Sequence, residues 1–332
     1  MKHARRAQSL SLGLLLGLAA LAMAPAEARL GDRWRERHAS QPSAPEAATD
    51  RITAPGDRDF TLLHGGETRR YKVHVPPGYS PDRPTALVLA FHGGGGNMNV
   101  QANDRYYGQI SKADELGYVV VFPNGVGRLH GGQMATWNAG ACCGEARDRS
   151  VDDVGFVRAL LARLKQQLNV DASRVFATGM SNGGMMSYRL ACEMADSFTA
   201  IAAVAGTDNT LSCAPSRPVS VLHIHARDDE RVLFNGGAGS QATQMTDFVS
   251  VPHSVAKWVS LNGCQPVAKR VLEVPGAYCE AYSGCRGGTQ VKLCVTETGG
   301  HSWPGGRKPL GGAQGSSALS ATDLIGDFFM KR

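Results

Sequence analysis

Ser181 lies in Gly179-Met180-Ser181-Asn182-Gly183, a G-x-S-x-G pattern between a short apolar run, residues 174–178, and a helix-like run, residues 184–192. Such a pattern holds a serine on a sharp strand-to-helix turn, with the helix N-terminus behind it favouring developing negative charge. A serine hydroxyl is a poor nucleophile unless a base takes its proton and an acid orients that base. The histidines downstream are His223, His225, His253 and His301. His223 and His225 fall inside an apolar strand and read as core residues, and His253 follows Pro252 at a helix start and reads as surface or capping. His301 sits in Gly299-Gly300-His301-Ser302-Trp303-Pro304-Gly305, where glycines let a side chain reach over a sheet edge, and is the expected base. The acid is expected after the strand at residues 219–225, where Asp228, Asp229 and Glu230 all qualify; spacing alone does not separate the two aspartates.

A second constellation is His92-Gly93-Gly94-Gly95-Gly96, after the apolar run at residues 86–91. The backbone N–H groups of Gly93 and Gly94, with that of Asn182, would form an oxyanion hole. As a phosphate loop the stretch lacks both the Lys-Ser/Thr of a P-loop and the GxGxxG context. Trp137 and Trp303 are the substrate-binding candidates: each could equally be packed core, but Trp303, two residues after His301, is well placed to wall an acyl group or aromatic ring. A metallohydrolase built on His223-x-His225 with Asp228 or Asp229 misses the usual H-x-H-x-D-H order, so neither metal nor cofactor is expected. A non-catalytic binding protein would have no need of a complete serine, acid and base set.

These groups must be positioned by the elements around them. Strand-like segments fall at residues 60–63, 70–75, 86–91, 118–122, 174–179, 200–204, 219–225 and 291–296, and helix-like segments at 102–116, 154–168, 182–192, 254–262 and 321–330. Near-continuous apolar runs such as ALVLAF and YVVVF suit a parallel sheet covered on both faces. The alternation predicts an α/β three-layer sandwich with a mostly parallel central sheet and an antiparallel pair at its N-terminal edge. A single domain is expected over residues 58–332, after a signal peptide at 1–28 and a loose Ala-, Pro-, Arg- and Glu-rich lead-in at 29–57. The first of these has a positive n-region (Lys2, Arg5, Arg6), a short apolar run and small-residue cleavage sites near Ala26 and Ala28.

Export explains the cysteines. All eight lie from Cys142 onward, and an even number in an oxidising compartment suggests disulfides. A hairpin of residues 277–282 and 290–296 turning at Cys285–Gly288 puts Cys279 opposite Cys294 and leaves Cys285 to reach Cys264. Cys192 with Cys213 would tie the helix after Ser181 to a later loop. Cys142 and Cys143 are left either to bond each other or to take one of the partners just assigned. The net charge of +6, near +4 once Lys2, Arg5, Arg6 and Glu27 are removed, is scattered without a basic face, so nucleic acid is not an expected partner. No membrane span is expected either, and the protein is read as a monomer working outside the cell or in the periplasm.

With these pieces in place, the chain resembles the secreted polyhydroxybutyrate-depolymerase-like esterases, kin of feruloyl and acetylxylan esterases in the α/β-hydrolase superfamily. The resemblance runs from Phe60 to Met330 through FHGGGGN at 91–97, FPNG at 122–125, TWNAGACCG at 136–144 and VDDVGFV at 151–157. It continues through GMSNGGMMSYRLAC at 179–192, HIHARDDERVLFNGG at 223–237 and GGHSWPGG at 299–306. It implies a Ser181–His301–Asp229 triad, the acid being placed by matching His225 and Val232-Leu233-Phe234 to the family's H-G-x-x-D segment. Ala226 and Leu233 depart from the glycine and proline of that segment, which alters the shape of the substrate side. Asp152 and Asp153 fit helix N-capping without a catalytic role. The implied substrate is a hydroxyalkanoate oligomer or polymer, with plant cell-wall feruloyl or acetyl esters as the alternative. The chain ends at Arg332 without a separate polymer-binding domain, so attack on crystalline polymer is not expected.

Overall fold

The run TALVLAF is buried at every position, as a strand must be when helices cover both faces of its sheet. The computed structural model describes residues 50–129, 132–243, 246–309 and 314–331, so the signal peptide and nearly all of the lead-in lie outside the described residues. The strands are β1 (Gly56–His64), β2 (Glu67–Val75), β3 (Thr85–Phe91), β4 (Val119–Pro123), β5 (Val126–Leu129) and β6 (Gln133–Thr136). They continue as β7 (Val170–Met180), β8 (Ala200–Val204), β9 (Ser220–Ala226), β10 (Lys269–Val274), β11 (Ala277–Tyr282) and β12 (Val291–Thr296). The helices are α1 (Met98–Gln101), α2 (Asp104–Tyr107), α3 (Gln109–Leu116), α4 (Gly144–Asp148), α5 (Asp153–Gln167), α6 (Asn182–Glu193), α7 (Val251–Leu261) and α8 (Ala321–Met330).

Ten strands form one sheet in the order β1-β2-β4-β3-β7-β8-β9-β12-β11-β10, parallel from β4 through β12 and antiparallel at both edges. This is the α/β-hydrolase three-layer sandwich. Because side chains alternate along a strand, Leu87, Leu89 and Phe91 join one core while Ala86, Val88 and Ala90 join the other. The first core is closed by Leu160 and Leu164 of α5, Leu190 of α6 and Trp258 of α7. The second is closed by Ala113 of α3 with Ile325 and Phe328 of α8.

Four local departures from the sequence reading have plain causes. The helix expected over residues 102–116 is split into α1, α2 and α3. The Asn97 side chain accepts N–H groups of the first turn of α1, Asn103 does the same for α2, and Gly108 ends α2 at φ 62. The hairpin β5–β6 and the edge strand β10 were not anticipated; both are short, and β10 is mostly exposed, so neither leaves an apolar signature. The chain also joins the fold earlier than the lead-in suggested: Ile52 is buried and donates its N–H to the Gln167 carbonyl at 2.9 Å.

Disulfides join Cys192 to Cys213, Cys264 to Cys285, Cys279 to Cys294, and Cys142 to its neighbour Cys143. Cys279 stands directly opposite Cys294 in the β11–β12 ladder, and Gly287 turns the chain at φ 64. Four bridges suit an oxidising compartment. No helix among the described residues is long and apolar enough to cross a membrane. The Cys279–Cys294 bridge closes a loop of sequence separation 15, for which the chain-entropy argument gives about 3 kcal/mol. Replacing both cysteines by alanine is expected to lower the unfolding free energy by that amount, read as a lower urea midpoint with a steeper slope, because the unfolded chain becomes less compact.

Candidate active site

The sheet reverses its direction of winding between β3 and β7: β4 lies outside β3, while β8 and β9 lie outside β7. Loops leaving the C-terminal ends of two such strands part to opposite faces and open a crevice there. The loop after β3 is the stretch 92–96, and the turn after β7 holds Ser181. Ser181 takes φ 55 and ψ −123, a conformation few side chains adopt, as the cap of α6. Its N–H donates to the Val204 carbonyl at 2.7 Å and its carbonyl accepts the Met185 N–H at 2.9 Å, which pins the turn from both sides. The glycines of G-x-S-x-G serve here by lacking bulk. A Cβ on Gly179 would lie 2.6 Å from the Phe91 carbonyl oxygen, and one on Gly183 would overlap the carbonyl oxygens of both Phe91 and His92.

The two adjacent aspartates after β9 have separate tasks. Asp229, 2% exposed, accepts the Nδ1–H of His301 on Oδ2 at 2.8 Å and the N–H groups of Arg231 and Val232 on Oδ1 at 2.8 and 3.0 Å. Asp228 is exposed and accepts the N–H groups of Gly299 and Gly300 at 3.2 and 2.7 Å, which holds the loop that carries His301. Burial works to raise the Asp229 carboxyl, but hydrogen bonds from His225 and His301 override it and hold the group well below the usual carboxylate range. The ion thus faces the His301 imidazole. Tyr107 links the His301 loop to the serine turn: its hydroxyl lies 3.8 Å from Met180 Sδ, and its ring packs edge-on to Trp303 at 5.2 Å. No hydrogen bond joins the Ser181 hydroxyl to His301 among the described residues, and such contacts commonly tighten only with substrate in place.

The glycine loop is fixed by His92. Its buried Nε2 accepts the Gly125 N–H at 3.0 Å, so Nδ1 carries the proton and donates to the Gly93 carbonyl at 2.8 Å. The Gly96 N–H donates to the same carbonyl at 3.0 Å. In a trans peptide the N–H points opposite to the C=O, so anchoring the Gly93 carbonyl turns the Gly94 N–H the other way. The N–H groups of Gly93, Gly94 and Asn182 make no hydrogen bond among the described residues. A Cβ on Gly93 would lie 3.6 Å from Ser181 Cβ, and one on Gly94 3.6 Å from Asn182 Cβ. Three uncommitted donors therefore flank the serine.

The two tryptophans are corrected by the structure. Trp137 is fully buried: its Nε1–H donates to the His92 carbonyl at 3.0 Å, and its backbone exchanges hydrogen bonds of 2.7 and 3.0 Å with the Asn182 side chain. It braces the first residue of α6 against the glycine loop and has no face for substrate. Trp303 is 3% exposed, bonded through Nε1 to the Thr322 hydroxyl at 2.9 Å, beside a void of about 10 Å³. A void of that size has no room for an acyl chain.

Sequence reasoning also missed a buried ion pair. Asp153 accepts from Arg69 at 2.7 Å and from the Asn138 N–H at 2.8 Å, so it positions the segment around Trp137, while Asp152 alone caps α5. Nothing in the spacing of residues 69 and 153 signals their meeting. Among the described residues, Cys192, Asp208 and Cys213 are the clustered groups with metal-ligand chemistry. Both sulfurs are spent in a disulfide and Asp208 is held by Lys257 and Trp258, each at 2.9 Å.

Burial lowers the His92 pKa from 6.5 to about 4. Between those values the unfolded chain binds the proton and the folded chain does not, so this histidine's contribution is present above pH 6.5 and is lost as pH falls through 4. It amounts to about 3 kcal/mol. Urea titrations at pH 7 and pH 4 are expected to show a loss of stability that His92→Gln reduces by that amount.

A sequence profile described as the Prolyl oligopeptidase family matches residues 105–216, the third of the chain that contains the serine turn. Feruloyl esterase C of Emericella nidulans is 31% identical over 268 residues, covering 79% of this chain and 84% of its own. Feruloyl esterase B of Piromyces equi is 31% identical over 244 residues, 70% of this chain, and the chain spans only 42% of that relative's length. The solved acetyl xylan esterase from Aspergillus awamori superposes with a TM-score of 0.51 over 74% of this chain and 94% of its own, at 13% identity, a likeness of fold. The chain belongs to the family of serine-hydrolase esterases that contains feruloyl esterase C, built on the α/β-hydrolase fold.

Proposed function

We propose that this esterase is exported and cleaves feruloyl or acetyl esters of plant cell-wall material, with Ser181 as nucleophile, His301 as base and Asp229 as the orienting acid. Its Nδ1–H held by Asp229, His301 offers Nε2 to the Ser181 hydroxyl. Ser181 Oγ attacks the ester carbonyl carbon as its proton passes to His301 Nε2, and the carbonyl oxygen takes the negative charge. The N–H groups of Gly94 and Asn182, with Gly93 beside them, stabilise that oxyanion; one such donor is worth about 2.7–4 kcal/mol. Collapse expels the alcohol, which takes the proton from His301 and leaves an acyl-serine. Water then attacks the acyl group, giving its proton to His301, and the carboxylic acid departs as Ser181 recovers its hydrogen.

The observation that carries the reading is the 2.8 Å Asp229–His301 hydrogen bond, formed at the same sheet edge as the strained Ser181 turn. The cell-wall substrate is favoured over hydroxyalkanoates because relatives similar over most of this chain are named for feruloyl groups and the similar fold for acetyl xylan. Four disulfides accord with export. Methyl ferulate, acetylated xylan and hydroxybutyrate oligomers, offered to the protein and to Ser181→Ala, make the test. Ferulate or acetate release is expected to exceed hydroxybutyrate release, and Ser181→Ala to lower kcat by at least about 10³-fold. Equal rates in the two proteins would overturn the nucleophile; hydroxybutyrate release alone would overturn the substrate class.

A further inference from the structure

Behind Asp229 runs a line of polar groups that the reaction described above leaves unused. The Tyr188 hydroxyl lies 2.8 Å from His223 Nδ1, and His223 Nε2 lies 3.1 Å from His225 Nδ1. His225 Nε2 lies 2.8 Å from the Val232 carbonyl oxygen and 3.3 Å from Asp229 Oδ2. Tyr188, His223, His225 and Asp229 are each no more than 2% exposed. Burying four polar side chains in an apolar core is costly unless every one is satisfied.

The proton positions follow from one fixed point. A backbone carbonyl can only accept, so His225 Nε2 carries hydrogen and its Nδ1 accepts. His223 Nε2 must then donate, its Nδ1 accepts, and the Tyr188 hydroxyl donates to it. Every donor therefore points the same way along the line, the last towards the Val232 carbonyl oxygen, with Asp229 Oδ2 3.3 Å from the same nitrogen. Burial holds His223 well below the ordinary histidine range, so its ring is neutral. Around it lie the Phe234 ring against His225 at 6.1 Å and the Trp258 ring against Tyr188 at 6.1 Å, with the Asp208 carboxylate, bonded to Trp258 Nε1, as the charge that acts on Tyr188. At its end His225 Nε2 is shared between the Val232 carbonyl and Oδ2, the oxygen that also accepts the His301 Nδ1–H, while Oδ1 is held by two backbone N–H groups.

We propose that His225, backed by His223 and Tyr188, is a positioning residue that holds Asp229 Oδ2 in line with His301 Nδ1. The inference rests on Asp229 acting as the acid of the esterase. The parallel rings of His223 and His225, 5.3 Å apart and 4° from coplanar, are fixed by β9 itself, where residues two apart share a face. The carboxylate is thereby braced from the sheet on Oδ2 as well as from its own loop on Oδ1.

A cycle of four proteins tests this: the unmodified chain, His225→Leu, Asp229→Asn and the double variant, with His225→Gln as the conservative control. On an ester substrate His225→Leu is expected to lower kcat by about 10- to 100-fold, the scale of a misplaced reacting group, with KM nearly unchanged. His225→Gln, which keeps an N–H donor, is expected to recover most of that loss. In the Asp229→Asn background the leucine substitution should cost no more than about twofold, because it acts through the carboxylate already removed. A full multiplicative loss in the double variant, or His225→Gln as slow as His225→Leu, would overturn the proposal. Unchanged kcat in His225→Leu while Asp229→Asn is slow would also overturn it and leave the triad standing. Unchanged kcat in Asp229→Asn would instead remove the triad reading itself. Thermal melts establish that each variant is folded, and His225→Met, apolar but flexible, replaces the leucine if that protein does not fold.

Discussion

At the switch point of the sheet, the backbone of β3 meets the turn after β7 with no room for a side chain between them. Gly179 and Gly183 face the carbonyl oxygens of Phe91 and His92 at distances that any Cβ would violate. This contact presses the serine turn against the glycine loop and so sets where nucleophile and oxyanion donors stand relative to one another. It also makes Ser181 tolerable in its unusual conformation, which costs on the order of 1–3 kcal/mol. The surroundings over-determine that conformation: Val204 takes the Ser181 N–H, the first turn of α6 takes its carbonyl, and Trp137 ties Asn182 to His92.

Around this contact the site divides into two halves stabilised by different physics. The oxyanion half is built from backbone, and its precision comes from carbonyls whose other partners are fixed, above all Gly93 held by neutral His92. The acid–base half is built from side chains, and its precision comes from a fully satisfied polar line running from α6 through β9 to Asp229. Each half uses a buried histidine kept neutral by its surroundings, His92 in one and His223 in the other, so that ring acts as one donor and one acceptor of fixed direction. Asp228 and Asp229 show how adjacent residues separate when one peptide step faces inward and the next outward: one braces the loop that carries His301, the other faces the His301 ring.

How far the sequence revealed this site depends on whether the deciding contact was local. Ser181, the loop at His92 and the loop at His301 were legible because each sits at the end of an apolar run, and glycine clusters mark where a chain must turn tightly or approach another closely. The sheet was legible for the same reason, since strands covered on both faces need near-continuous apolar residues. The register of Cys279 with Cys294 followed from the symmetry of a hairpin around its turn. The split of residues 102–116 into three helices was visible in principle, in Asn103 followed by Gly108. Strand β10 was not, because an exposed edge strand has no apolar face to detect.

Composition and order thus determined the layered α/β sandwich, the serine turn and the chain order of the proposed nucleophile, acid and base, because these depend on hydrophobic periodicity and turn chemistry within short windows. The tertiary structure decided what depends on which distant groups meet in the core. It withdrew Trp137 and Trp303 from the substrate and made them braces, by burying both. It joined Arg69 to Asp153 across 84 positions, and it set His223 and His225 in line behind Asp229, where a pair of histidines in a strand reads only as core. A side chain's surroundings are set by packing between elements far apart in the chain, and no local pattern carries that information.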